Sequence, residues 1–414
     1  MAQIVSPTLF PPTRAGALAR IAAVRPAAYA GSRNSIEGAV SRLSPYVTHG
    51  FVSLPEILTR VASQYPLDPQ HAFVCELGWR EYFHHVWHHR GDGILQSLHE
   101  GPLPEQAYAR DLPADIRQAR TGLPVIDQAV RSLYSTGYLH NHARLWLASY
   151  VVHLRKVHWR TGADWLIAHL LDGDLASNHL SWQWVAGTGS SKPYLFHAEN
   201  VARYAPRTWA SFGSVLDTSY EALDALARDP VAVPIAAQGD GVSEPTTSGR
   251  PLDTTLESPR ESPRADDVAG RHVWLVHPWA LDEPPADLPA ETLLVGWWPA
   301  EQHAAWPWTA ARWTFVGTRM AELSRLRWHA SQPELAGLLA TAASVQTVSH
   351  PQISGALPRS VVQRSLPRLF AEVTQPCGSF SAWWKRTTRG VKQLTDLPGL
   401  AAIERRLGRL GPEF

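Results

Sequence analysis

The run from Leu171 to Trp184, LDGDLASNHLSWQW, constrains the fold of this chain more tightly than any other. Two carboxylates stand two residues apart (Asp172, Asp174), an amide follows at Asn178, and two indoles close the run at Trp182 and Trp184. The preceding WRTGADWLIAHLL, from Trp159, has apolar residues at helical spacing. Gly173 can break that helix, so the carboxylates are expected where the chain turns. Carboxylates, an amide and indoles crowded together are costly to bury unless a polar, aromatic group binds among them. The competing reading is a capped helix end followed by two core tryptophans.

Composition narrows the class. With 414 residues the chain has room for two or three domains, and 44% apolar against 18% charged residues describes a globular protein. A net charge of +1 gives no global field for nucleic acid, so any basic surface is local. Two cysteines, Cys75 and Cys377, supply neither a four-cysteine metal site nor a disulfide framework, and a reducing cytoplasm is the expected compartment. No apolar run is long enough to span a membrane, and the first thirty residues, broken by prolines and arginines, lack a signal-peptide core. Eighteen tryptophans raise the question whether some indoles stack on a ligand or carry electrons.

Residues 1–229 read as an all-α domain without a convincing strand. Ser41 and Ser44 lie near a helix start, where free backbone N–H groups favour an anion; an ordinary cap is the simpler reading of these serines alone. Residues 70–90, QHAFVCELGWREYFHHVWHHR, form a helix on which Glu76 and Arg80 stand at i,i+4 and are placed to pair. The histidines at 84, 85, 88 and 89 lack HExxH context, so a solvated face is expected there rather than a metal site. Tyr138 to Trp159 reads as one long buried helix, and Arg144 within it needs a buried partner, Asp172 or Asp174. Residues 230–268, rich in Pro, Ser, Thr and charge, read as a flexible linker. Residues 269–414 alternate apolar runs (HVWLVHPWAL, TLLVGWW, RLRWHAS, SVQTVSH) with helical stretches, the pattern of a smaller, Rossmann-like parallel α/β domain. No GxGxxG or GxxxxGK[ST] marks a nucleotide site in it. The basic tail with Trp383-Trp384-Lys385-Arg386 suits nucleic acid, although a solvated helix is the simpler reading.

The first half of the chain resembles the photolyase/cryptochrome family, in its helical FAD-binding domain. The resemblance is carried by an ordered series: SRLSP (41–45), ELGWRE (76–81), TGLPVID (121–127), HNHAR (140–144), WRTGADW (159–165), DGDLASNHLSWQW (172–184) and GTGSSKPYLFHAENVARYAP (187–206). It implies a U-shaped FAD. Tyr29 and the run Ser41, Arg42, Leu43, Ser44 would hold the phosphates, Asp174 would accept from the flavin imide edge, Arg144 would pair with Asp172 beside the ring, and Asn178 would face flavin N5.

The resemblance also implies a substrate, UV-damaged DNA. Trp79 and Trp184 would wall a cavity for a flipped-out lesion. Glu76 and Asn141 would hydrogen-bond the pyrimidine edges, and His142 would stand where an arginine often meets DNA phosphate. Reversal of a cyclobutane dimer needs one electron from light-excited reduced flavin and no nucleophile, metal or triad. Trp182 and Trp159 match the inner two positions of an electron relay, while the outer position falls on Gln106, with Tyr108 or Trp146 as possible substitutes. Members that act on 6–4 photoproducts carry histidines at the positions of Asn141 and Leu145, so the dimer is the expected lesion.

Several departures qualify the resemblance. Val40 replaces a usual threonine and Tyr138 a usual tryptophan. A neutral His142 releases fewer counterions than arginine, so weaker DNA affinity is expected. The family's α/β antenna domain does not precede the helical stretch here, whereas the pattern after 269 is similar to it, which suggests a swapped domain order; an unrelated Rossmann-like module is the other reading, and any second chromophore stays unspecified. The function expected is light-driven DNA repair. The alternative is a cryptochrome-like blue-light receptor that changes signalling partners through the linker or tail. A lesion hollow filled by side chains, or sealed by the trailing module, counts against repair.

Overall fold

In a computed structural model, residues 9–251 and 263–401 are described. Over 9–229 every regular element is a helical turn or helix. The Ala72–Arg90, Asn141–Ser149, Trp159–His169 and Leu175–Ala186 helices pack together and carry most of the residues singled out above. The expected long helix from Tyr138 is not continuous. It begins at Asn141, with the His140 ring accepting the His142 N–H as its cap, loosens into a π turn at Tyr150–Leu154, and stops. Lys156, at φ 51°, turns the chain before Trp159 restarts it. Tertiary anchors override the helical pattern at this break. Arg155 pairs with Asp115 at 2.6 Å and the Lys156 ammonium donates to the carbonyls of Leu226 and Ala227.

Besides a short antiparallel pairing of Thr247–Ser248 with Trp308–Thr309, the second half carries one five-stranded sheet: β1 (His272–Val276), β2 (Leu293–Pro299), β3 (Leu326–Ala330), β4 (Ser344–Val348) and β5 (Val361–Arg364). All pair in parallel, in the order β3-β2-β1-β4-β5, with Val273 opposite both Leu293 and Val345. The runs HVWLV and LLVGWW are apolar along their length because helices or the other domain cover both sheet faces, which is what a parallel sheet requires. β5 had no counterpart among the expected strands; its central residues are exposed and show no apolar run.

In such a sheet, ligands bind outside the carboxyl ends of the strands where the order reverses, here between β1 and β4. That crevice faces the helical domain and is occupied. His350 follows β4 and stacks on Trp279, which follows β1, at 5.5 Å and 14°. Its other neighbours are the His84 and Trp87 rings of the Ala72–Arg90 helix. One continuous hydrophobic core crosses the seam, with Phe51 stacked on Phe315 at 5.1 Å.

The flexible-linker expectation is corrected over 230–251. The backbone N–H groups of Val233, Gln238 and Val242 donate to the carbonyls of Leu154, Arg120 and Gln118. Glu244 accepts from Arg117, the Trp165 indole and His169 at 2.8, 2.9 and 3.2 Å. Burial would raise the Glu244 carboxyl, but the His169 and Arg117 bonds outweigh it and hold the group down at about 2. A non-periodic segment can therefore be fixed by backbone pairing and one acid, neither of which has a composition signature. At the linker's far end Ala265–Val268 forms a short helical turn that buries Val268, while 252–262 and the tail beyond 401 lie outside the described residues.

The described part of that tail is not a solvated helix. The Phe380–Thr387 helix buries Trp383 and lays its aromatic face on the Ala72–Arg90 helix. The chain leading to it is tied by Glu81, whose carboxylate accepts the N–H groups of Leu369 and Phe370 at 2.6 and 3.3 Å. Burial pushes this carboxyl from 4.5 up to about 7. A raised acid favours the docked state fully below its unfolded value and loses that contribution as pH rises through about 7. Melting followed from pH 5 to pH 8 should therefore show a decline in the wild type of about 1–3 kcal/mol from this group, flattened in Glu81→Gln. An identical slope in the variant would assign the pH dependence elsewhere.

Candidate flavin and nucleic-acid site

The turn expected at 172–174 is present, and its two acids have different partners. Asp172 pairs with Arg144 at 2.7 Å, as the resemblance implied. Asp174 caps the Leu175–Ala186 helix, accepting the Ser177 N–H at 2.8 Å, while its other oxygen meets His84 at 2.9 Å and Arg80 at 3.3 Å. Burial alone would raise the Asp174 carboxyl; Arg80 and His84 outweigh it and hold the group well below the usual range. Arg80 thus spends its charge on Asp174 and not on Glu76, which pairs instead with Arg33 at 3.5 Å. The buried Asn178 amide donates to the Ala163 carbonyl at 2.9 Å.

His84, Asp174 and His350 bring ligand-capable atoms within 4.8 Å of one another. Arg80 already neutralises this carboxylate, and the buried Arg312 adds positive charge close by. A second cation there would meet two guanidinium groups, so the cluster is better described as a hydrogen-bonded seam between the domains.

A cleft of about 150 Å³ gathers Tyr29 and Arg33, the loop Val40–Ser44, Glu76, and Tyr138 with His140, Asn141 and His142. The run Ser41–Ser44, expected to hold phosphates, thus faces Glu76, Asn141 and His142 across one opening. Arg42 sits at φ 51°, a left-handed backbone that a non-glycine residue adopts only when its surroundings enforce it. Burial and the neighbouring Arg33 lower the His142 imidazole, keeping it neutral at pH 7. Burial chiefly, with Glu76 adding to it, raises the Tyr29 phenol, so Tyr29 remains a hydroxyl donor.

The donor set suits a flavin dinucleotide. His140 in the cleft faces the Arg33 backbone, while Ser177 Oγ beside the acid turn is buried with no hydrogen-bond partner, as expected of a group that awaits a ligand. The open volume of the cleft, about 150 Å³, lies below the roughly 300–1,000 Å³ of ordinary ligand sites. Neither Asp174 nor Asn178 lines it.

The two expected indole walls also lie off the cleft lining. Trp184 is 40% exposed and leans on Tyr194, whereas Trp79 is stacked on Phe380 at 4.1 Å and 8°. Trp182 and Trp159 are buried in the core of the helical domain. Trp182 lies so close over Gly162 that a Cβ there would collide with the indole. Trp159 donates to Ser97 at 3.0 Å and meets His179 edge-on at 6.3 Å. Gln106 and Tyr108 line a separate hollow of about 400 Å³ beside Trp159, while Trp146 is buried against Phe196. His179 also contacts Trp306, at 5.4 Å, an indole of the trailing domain that sequence reasoning did not single out.

Residues 73–209 match the family model for the FAD binding domain of DNA photolyase. This stretch is similar to the FAD-binding domain of DNA photolyases. Among curated relatives, the deoxyribodipyrimidine photo-lyase of Streptomyces griseus is 38% identical over 152 residues, covering 37% of this chain and 33% of that protein. The enzyme of the same name from Escherichia coli (strain K12) is 33% identical over 168 residues, covering 39% and 35%. The chain thus spans about a third of the length of the relatives it matches. Among solved structures, a Synechocystis cryptochrome superposes with a TM-score of 0.41 at 26% identity, over 46% of this chain and 43% of that one.

Arg80, His84, Arg312 and Phe380 are the residues at this site that sequence reasoning missed. Arg80 and His84 repeat at i,i+4 on the stripe that begins with Glu76, a signal that favoured local pairing. Arg312 and Phe380 approach from far along the chain and leave no local trace.

Proposed function

We propose that the chain is a FAD-dependent, light-driven DNA lyase that splits cyclobutane pyrimidine dimers. The observation that supports this best is the single cleft in which Ser41–Ser44 and Arg42 face Glu76, Asn141 and His142. Bound there in its reduced form, FAD supplies an electron to the dimer under blue light and takes it back. The chain's residues have the remaining tasks. The hydroxyls and amides of 41–44, with Arg42, hold the diphosphate. The Arg144–Asp172 pair stands behind Tyr138 of the cleft, with the Arg144 guanidinium 5.6 Å from its ring, and Asn141 and Glu76 hydrogen-bond the pyrimidine edges. Desolvation in the cleft raises the Glu76 carboxyl against the pull of Arg33, although its side chain is 43% exposed, and Glu76 faces the opening where negative charge would develop on the base. His142, held neutral, adds little to phosphate affinity.

The stack of Phe380 on Trp79 favours a second reading, a cryptochrome-like receptor in which light alters the contact between the helical domain and the trailing segment. One assay separates the two. The protein is purified in the dark, its flavin is reduced, an oligonucleotide with one thymine dimer is added, and thymine absorbance is followed under blue light. Light-dependent recovery is expected; its absence from FAD-loaded protein would reject the lyase and leave the receptor.

A further inference from the structure

We propose that the Phe380–Thr387 helix is a plug on the Trp79 face, and that damaged DNA gains this face only by displacing it. The proposal rests on the DNA-repair reading above and names a regulation of that same site. Phe380 does not merely touch Trp79. The rings lie 4.1 Å apart and 8° from parallel, a face-to-face stack like that of a base on an indole. At 100° per residue, Trp79 stands on the Ala72–Arg90 helix between the direction of Glu76, which lines the cleft, and that of Gly78 and Tyr82, which face the trailing helix. Phe380 thus covers an aromatic surface at the margin between plug and cleft.

The plug is seated by shape and polar ties. A Cβ on Gly78 would run into the Trp384 ring, so glycine there lets the two helices close up. Trp384 stacks against Phe380 at 5.4 Å, and its indole N–H donates to Gln70 at 2.8 Å. Thr387 donates to the Ala371 carbonyl, and Glu81 holds the two preceding backbone N–H groups. The outward side carries Lys385, Arg386 and Arg389, all exposed. A phosphate backbone approaching the cleft meets these cations first, so the element that blocks the stack also presents the charge that attracts its competitor.

The test uses the full FAD-loaded chain and fluorescence anisotropy with duplexes that carry or lack a single thymine dimer. Phe380→Ala should bind the damaged duplex about tenfold more tightly than wild type, since no stacked ring has to leave, with the undamaged duplex unchanged. Phe380→Leu, which keeps apolar volume but not the stack, should fall between, and a melting scan checks that each variant is folded. Trp79→Ala should erase lesion preference. If Phe380→Ala binds damaged DNA no better than wild type while Trp79→Ala loses it, the plug is wrong and the repair reading survives. If wild type, Phe380→Ala and Trp79→Ala all fail to distinguish damaged from intact duplex, the repair reading fails and the plug with it.

Discussion

Arg312→Ala is expected to cost about 3–5 kcal/mol and to uncouple the two domains, because it removes one partner from a buried, fully engaged polar cluster. Arg312 is 1% exposed and enters from the Ala310–Leu323 helix of the trailing domain. It donates to the Gly173 carbonyl at 2.6 Å and meets His49 at 3.3 Å, with its guanidinium 4.2 Å from the Trp308 ring. Burial pushes it down to about 9, against the pull of Asp172 and Asp174, so it is still charged at neutral pH. Burial with Arg312 nearby lowers His49 to about 3, so the ring is neutral with one N–H: Nδ1 donates to the Pro278 carbonyl at 2.6 Å and Nε2 accepts from Arg312, with the Leu171 carbonyl 2.9 Å from it. The 172–174 turn is thus held from behind by a side chain of the other domain. Denaturant unfolding should shift from one transition toward two in the variant, with flavin content falling alongside. Arg312→Met, similar in bulk but uncharged, should lose less. A stability within 1 kcal/mol of wild type for Arg312→Ala would remove this residue's standing in the seam.

What the sequence showed and what it hid divide along contact range. The turn at 172–174, the Asp174 cap and the Arg144–Asp172 pair were legible because acid, glycine and helical period are local signals, and a buried arginine demands a partner. The parallel sheet was legible from apolar runs alternating with helices. Each miss involves chain segments far apart. The Arg80 and His84 contacts of Asp174, which stand beside its expected role at the flavin edge, follow from how the Ala72–Arg90 helix packs. Glu76 and Arg80 were placed as a pair, yet each found a stronger partner elsewhere. The covering of Trp79 by Phe380 was invisible, since 301 residues separate them and composition marks a basic, aromatic tail only as polar and sticky. A sealed wall was the stated condition against repair, which is why the Phe380 variants carry so much weight.

On the proposed reading, in which Trp182 is the inner relay indole, Trp182→Phe should slow light-driven reduction of the oxidised flavin at least tenfold. Trp182 is buried over Gly162, and Trp159 lies in the same core, so both indoles are fixed without solvent around them. Phenylalanine fills most of the space, and stability should fall by no more than about 1–2 kcal/mol. Beyond Trp159 the path divides. His158 bridges Trp159 to Tyr108 at 5.6 and 6.3 Å, and His179 bridges it to Trp306 at 6.3 and 5.4 Å. Tyr108 is a poor exit, since burial raises its phenol and holds its proton. Trp306 is an indole at the half-exposed edge of the trailing domain, with Arg160 5.4 Å from its ring, so Trp306→Phe should slow photoreduction more than Tyr108→Phe. Repair by chemically reduced protein depends on none of these side chains and should survive in all three variants. Loss of repair and photoreduction together in Trp182→Phe would mean that this indole shapes the flavin site itself and does not serve as a relay.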